Sequence, residues 1–213
     1  PWRADWVRQR YLRDASIVRT AARFGAVRLV AIAGIAGRRL ALGLRLRGPA
    51  GAEAFPSVAI HVGADTRCAR QRAGRRLAVV CSIGNSPPRR PLAAARRLLI
   101  RAERGDRRWL AGRGRLGSAV PAWAGRLYRR SLLVLRTLTA RGTGSVAAGA
   151  REGWAHVWPR DAAAVALAYE AAGYSVEARR VAGFLNGLDL DGAARFDGDG
   201  RPIPDRGPQG DAA

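Results

Sequence analysis

The residues best equipped for chemistry stand close together in the second half of the chain. Thr143-Gly144-Ser145-Val146-Ala147-Ala148-Gly149 is a loop of small residues, and Gly153-Trp154-Ala155-His156-Val157-Trp158-Pro159-Arg160-Asp161 follows it. Trp154 and Trp158 offer broad apolar rings. Arg160 carries a rigid fork of donors, and Asp161 can accept from two hydroxyls at once. A pyranose has an apolar C–H face and a rim of hydroxyls, so these four residues could grip a sugar. A plainer reading competes with that one. Pro159 suits the first turn of a helix, Asp161 favours its N-terminal end, and two tryptophans four residues apart could simply fill a core. On the residues alone, the plainer reading stands first. His156 reads as a packing or hydrogen-bonded residue rather than a catalyst.

The elements that must position these residues fall into two styles. Before Pro88 the chain reads as strands. RLALGLRLR at Arg39–Arg47 alternates with period two, residues 57–62 (SVAIHV) and Arg76–Ile83 follow, and Val27–Ala36 is a further candidate. Turn-rich stretches separate them, which suggests a sandwich or a sheet packed on something larger. After Pro88 the apolar spacing becomes helical. Helices are expected over residues 91–103, 121–140, 159–172 and 175–186, with a Gly/Arg-rich connection at 109–120. The last two should form an antiparallel hairpin, because Gly173 ends one and almost nothing separates it from the next. The expected class is α+β: a strand-rich, β-sandwich-like region at 1–90, a helical linker at 91–120 and helical hairpins over 121–213.

Composition bounds the possibilities. The 213 residues include 38 basic side chains, all arginine, against 16 acidic ones, for a net charge of +22. Such charge makes nucleic acid a partner to weigh. The arginines are spread along the whole chain, however, and no helix-turn-helix, zinc finger or aromatic RNA-binding strand accompanies them. Absent lysine beside abundant Ala, Gly and Pro fits the codon bias of a GC-rich genome, so nucleic acid is disfavoured. The chain contains no methionine, and it is expected to begin inside a longer reading frame. No uncharged apolar run approaches the roughly 20 residues of a membrane span, and no leader is evident, so a cytoplasmic, membrane-free protein is expected. Cys68 and Cys81 read as free thiols in the core or on the surface, not as a metal pair. No metal or cofactor is expected.

The loop of small residues, the aromatic, and Trp158-Pro159-Arg160-Asp161 opening a helical hairpin resemble glycoside hydrolase family 15, the glucoamylase, glucodextranase and trehalase group. Gln209-Gly210-Asp211 resembles a later helix entry of that family, and Trp154 stands where relatives commonly carry tyrosine. The resemblance implies an N-terminal β-sandwich followed by the first helices of an incomplete (α/α)6 toroid. It implies inverting hydrolysis of terminal α-glucosidic bonds, with α-glucan, maltooligosaccharide or trehalose as substrate. It also assigns Arg160 and Asp161 to gripping the terminal glucose, beside Trp154 and Trp158.

Inversion needs two carboxylates about 6.5–9.5 Å apart, and the family uses two glutamates well downstream of this motif. The glutamates here are Glu53, Glu103, Glu152, Glu170 and Glu177, and none matches those positions. General acid and base are therefore unassigned. A toroid of twelve helices needs at least ~200 residues, and only about 90 follow Pro121. The chain is expected to be the N-terminal part of such a hydrolase, inactive by itself and completed by the remainder of its own barrel. The rivals are a non-catalytic, carbohydrate-binding relative and a basic nucleic-acid-associated protein.

Overall fold

Ten elements of regular structure are present in the computed structural model, which describes residues 3–48, 65–114, 116–150, 154–191 and 193–204. The chain divides into two compact units, Pro1–Arg108 and Trp109–Ala213. The first holds strands β1 (Trp6–Tyr11), β2 (Val18–Phe24), β3 (Val27–Ala36), β4 (Arg39–Arg47), β5 (Thr66–Ala73) and β6 (Arg76–Ile83). They form one sheet in the order β1-β2-β3-β4-β6-β5, antiparallel throughout.

Three of its hairpins turn on two residues: Gly25-Ala26, Gly37-Arg38 and Gly74-Arg75. The glycines have φ of 56°, 59° and 51°, while the residues after them do not have positive φ. That is the type II′ arrangement, whose twist matches the flanking strands and whose first position wants glycine.

β3, β4 and β6 lie where their alternation and apolar runs place them. β1, β2 and β5 were not expected; their sequences WVRQRY, VRTAARF and TRCARQRA are rich in arginine, glutamine and alanine. They are strands because a neighbour supplies the ladder. β1 and β5 are the sheet's two edges, where charged side chains discourage pairing with another chain. The strand expected at 57–62 lies outside the described residues.

A two-sheet sandwich is not what the described strands make. Their second layer is helix α1 (Pro91–Ala111), whose Ala94, Ala95 and Leu98 are buried with Ala41, Ala78 and Val80 of the sheet. The packing is close: a Cβ on Gly34 would stand 3.1 Å from both Leu99 and Ile17. The Leu92 backbone N–H donates to Gln71 Oε1, and Asp106 Oδ2 accepts from the Ser16 N–H, tying the helix to edge strand β5 at one end and to the β1–β2 loop toward the other. The helix also outruns its expected end at 103. Glu103 and Arg107 pair at 2.7 Å across one turn, so the charged stretch is a helix surface and not a break. Trp109 and Leu110, expected in a connection, are helical.

The cysteines require another correction. Cys68 and Cys81 are directly opposite on β5 and β6 and are joined by a disulfide; among the described residues there is no free thiol.

The second unit contains α2 (Ala122–Leu138), α3 (Pro159–Ala171) and α4 (Ser175–Asn186). Each falls within a few residues of its expected bounds. α3 and α4 form the expected hairpin: Gly173 takes φ 82°, and α3 and α4 pack along each other. One core joins all three helices, with Leu132 and Leu133 from α2, Ala162 and Tyr169 from α3, and Ala178 and Val181 from α4. Val146, Val157 and Phe196 complete it from the extended segments between and after the helices. The architecture is α+β. No described helix is long and apolar enough to cross a membrane.

Candidate functional site

The segment carrying Trp154 and Trp158 is held from two sides by backbone. After α2, Thr139 bridges to Val146, and the chain turns through Thr143-Gly144-Ser145. Thr143 Oγ1 accepts from the Ser145 N–H and shares a proton with Ser145 Oγ at 2.8 Å. Gly144 takes φ 84°, and a Cβ there would fall 2.1 Å from the carbonyl oxygen of Arg180, so the turn needs glycine. The strand emerging from it donates Ala148 N–H to His156 O and Gly149 N–H to Trp154 O. On the other side, Val157 and Phe196 exchange both backbone hydrogen bonds at 2.8 Å. Trp158 then takes an extended conformation, and Pro159 opens α3 with its φ already set.

This frame brings the two indoles together at 5.8 Å between ring centroids and 34° between planes, with His156 6.0 Å from Trp158. Trp154 is 57% exposed and Trp158 half-buried, so the pair does not fill the core. Arg160 and Asp161 are exposed on the first turn of α3. The Asp161 carboxylate makes no hydrogen bond or ion pair with a described residue, which leaves all its acceptor capacity for a ligand. Its place on the first turn also favours the helix dipole, so the structural role expected of it is met as well. Apolar rings, with a charged donor and a charged acceptor on the helical turn that follows them, are the groups a polyhydroxylated ring needs for one face and its edge.

The described glutamates are engaged elsewhere. Glu103 pairs with Arg107, Glu170 accepts from Ser175 Oγ, and Glu177 accepts from the Trp109 indole N–H at 2.8 Å. Glu53, Glu152 and Gln209-Gly210-Asp211 lie outside the described residues. Asp197, next to the Phe196 that clamps Val157, was not singled out from sequence. Its Oδ1 accepts the backbone N–H of Arg201 and of Asp199, both at 2.9 Å. The Arg201 N–H foremost holds this carboxyl below the usual carboxylate range, which makes Asp197 a fixed anion and a poor proton donor. Its signal was the Asp-Gly-Asp-Gly-Arg run, which reads as a turn. Among the described residues, no three His, Cys, Asp or Glu side chains converge as metal ligands do.

A second concavity of about 200 Å³ was also missed; Trp109, Arg136, Thr139, Tyr169, Glu177 and Arg180 line it. Trp109 stacks on Tyr174 at 4.1 Å and 8°, and the Arg136 guanidinium lies 4.9 Å from the Trp109 ring centroid. Burial pushes the Tyr174 phenol up to about 12, and it raises Tyr169 as well. A phenol whose folded pKa exceeds its unfolded value of about 10 stabilises the fold fully below pH 10, and that stability is lost as pH climbs through 12. The second unit should therefore hold to pH 10 and unfold toward 12. Absorbance at 295 nm should show Tyr174 ionising together with the loss of helix, above pH 10. Tyr174→Phe should soften that alkaline transition, although it gives up the bond to the Trp109 carbonyl oxygen. Ionisation of Tyr174 near pH 10, ahead of any loss of helix, would overturn this prediction.

Comparison with protein-family models, curated proteins and solved structures finds no match.

Proposed function

We propose that this chain supplies the terminal-sugar subsite of a glycoside hydrolase resembling family 15, with Trp154 and Trp158 as its platform and Arg160 and Asp161 as its polar grip. The observation that carries this reading is the indole pair, Trp154 exposed and Trp158 half-buried, fixed by backbone bonds on both sides and followed on the first turn of α3 by an exposed Asp161 carboxylate that no described residue occupies. A tryptophan that only filled the core would be covered, and Trp154 is not. In this reading α2, α3 and α4 belong to an (α/α)6 toroid whose remaining helices carry the general acid and base. The substrate is an α-glucan end, a maltooligosaccharide or trehalose, hydrolysed with inversion.

The test is binding before catalysis. Titrating the chain with maltotriose and trehalose should shift tryptophan fluorescence at millimolar ligand. Asp161→Ala and Arg160→Ala should each weaken binding by about tenfold or more, the loss expected when a charge-assisted hydrogen bond is removed. Neither variant should change the melting temperature by more than a few degrees, because both side chains are exposed. Saturable binding untouched by both substitutions would remove these residues from the subsite, and no sugar binding at all would end the proposal. A barrel-complete protein that binds sugar but releases no glucose would instead be the non-catalytic relative.

A further inference from the structure

The arginines that look scattered along the chain are sorted by the sheet. Side chains alternate between faces along a strand, so register decides which residues share a face. Every arginine of β1, β2, β3, β4 and β6 falls on the same face, the one α1 partly covers; none of the six strands contains an acidic residue. Several stand directly opposite each other: Arg10 faces Arg19, Arg28 faces both Arg23 and Arg47, and Arg45 faces Arg76. Like charges placed so are destabilising in the free protein. An ordinary solvated face would intersperse the two signs, and this one carries a cost that a bound anion would offset.

The face has shape as well as charge. Between α1 and the sheet runs a groove of about 540 Å³, with Val30, Ile32, Gly43 and Leu99 among its floor residues and Arg19, Arg45, Arg47, Arg76 and Arg96 at its rim. Those rim guanidinium groups make no hydrogen bond or ion pair with a described residue. Trp6 lies on the same face, and the guanidinium carbons of Arg8 and Arg28 are each 5.8 Å from its ring centroid. Arginines in adjacent strands stand about 4.8 Å apart, and those two residues apart on one strand about 6.7 Å. Such a grid matches a chain of phosphates, whose bases stack on indole and guanidinium planes. A bilayer fits worse: the apolar residues are recessed below the charges, whereas membrane-binding surfaces push them outward.

We propose that this arginine-lined sheet face binds single-stranded nucleic acid, with the opposed arginines on its phosphates and Trp6 and the groove floor against its bases. The site lies wholly in the first unit and is independent of the sugar platform.

Fluorescence anisotropy of a labelled 20-nucleotide oligo(dT) with the full chain tests it. Binding should weaken steeply with salt. Arg28→Ser/Arg45→Ser should lower affinity at least tenfold and reduce the magnitude of the log–log salt slope by about 1.4, or 0.7 for each phosphate no longer neutralised. Trp6→Ala should lower affinity at least fivefold with the slope unchanged. The same double substitution should raise the melting temperature of the first unit, because it relieves like-charge pairs; this readout also shows that the variant folds. Arg101→Ser/Arg104→Ser on α1 removes equal charge elsewhere and should leave binding within twofold. The proposal fails if both double variants lose affinity equally, or if polyglutamate of equal charge competes as well as oligo(dT). It also fails if the chain ignores oligo(dT) and binds vesicles of phosphatidylcholine with 30% phosphatidylserine.

Discussion

Phe196→Ala should destabilise the second unit by about 3–5 kcal/mol, the usual cost of emptying a buried phenylalanine site, and should loosen the tryptophan platform with it. Phe196 is completely buried, in one core with Val157, Tyr169 and Val181. It has a second task. Its backbone N–H and C=O both bond Val157, the residue before Trp158, so the ring in the core anchors the strand that presents the indoles. Truncation leaves those backbone groups able to pair but removes what holds them in place. Chemical unfolding followed by far-ultraviolet circular dichroism reads the stability loss. Tryptophan fluorescence in the folded variant reads the platform, as a red shift and a weaker response to maltotriose. Phe196→Leu should recover most of the stability. A loss below about 1 kcal/mol for the alanine variant would mean that the site collapses around the gap and that the core does not fix the platform.

How far the sequence could be read follows one physical line. Elements whose own side chains bury a stripe or face were legible: the alternation of β4, the apolar run of β6, and α4 to its last residue. The aromatic-Pro-Arg-Asp segment was legible as a helix start for the same local reason. Elements whose stability comes from a neighbour were not. TRCARQRA gives no strand signal alone, and only pairing with β6 makes β5 a strand. The disulfide was hidden with it. A two-residue turn at Gly74-Arg75 places Ala73 opposite Arg76, and counting back along both strands places Cys68 opposite Cys81. The arginine face was hidden similarly: spacing along the chain looks diffuse, and segregation exists only once register assigns each residue a side. Within the site, residue identities were readable, but not the exposed approach of the two indoles. That approach depends on Phe196, whose backbone bonds Val157, and on Gly144, whose turn packs against the Arg180 backbone; both neighbours are distant in sequence.

Reducing the Cys68–Cys81 bond should lower the stability of the first unit by about 3 kcal/mol, the chain-entropy value for closing a loop of this size. The bond joins residues 13 apart, across the hairpin formed by an edge strand and its one neighbour. β5 has little intrinsic strand preference and carries three arginines with no acidic residue, so its attachment leans on this bond more than an edge strand usually does. Urea unfolding with and without reductant should differ by that amount in the first unit, with the second unit's transition unmoved. Cys68→Ser/Cys81→Ala should behave as the reduced protein and be indifferent to reductant. Thiol titration of the urea-unfolded chain, prepared without reductant, should find no free thiol. Two titratable thiols would abolish the prediction and restore the reading of both as free cysteines. The outcome also bears on where the protein works. Disulfides persist in oxidising compartments and are rare in the cytoplasm, so a stable Cys68–Cys81 bond favours an exported or periplasm-like setting over the cytoplasmic one expected from sequence. Retention of oligo(dT) binding in the oxidised but not the reduced protein would tie the arginine face to the sheet's integrity.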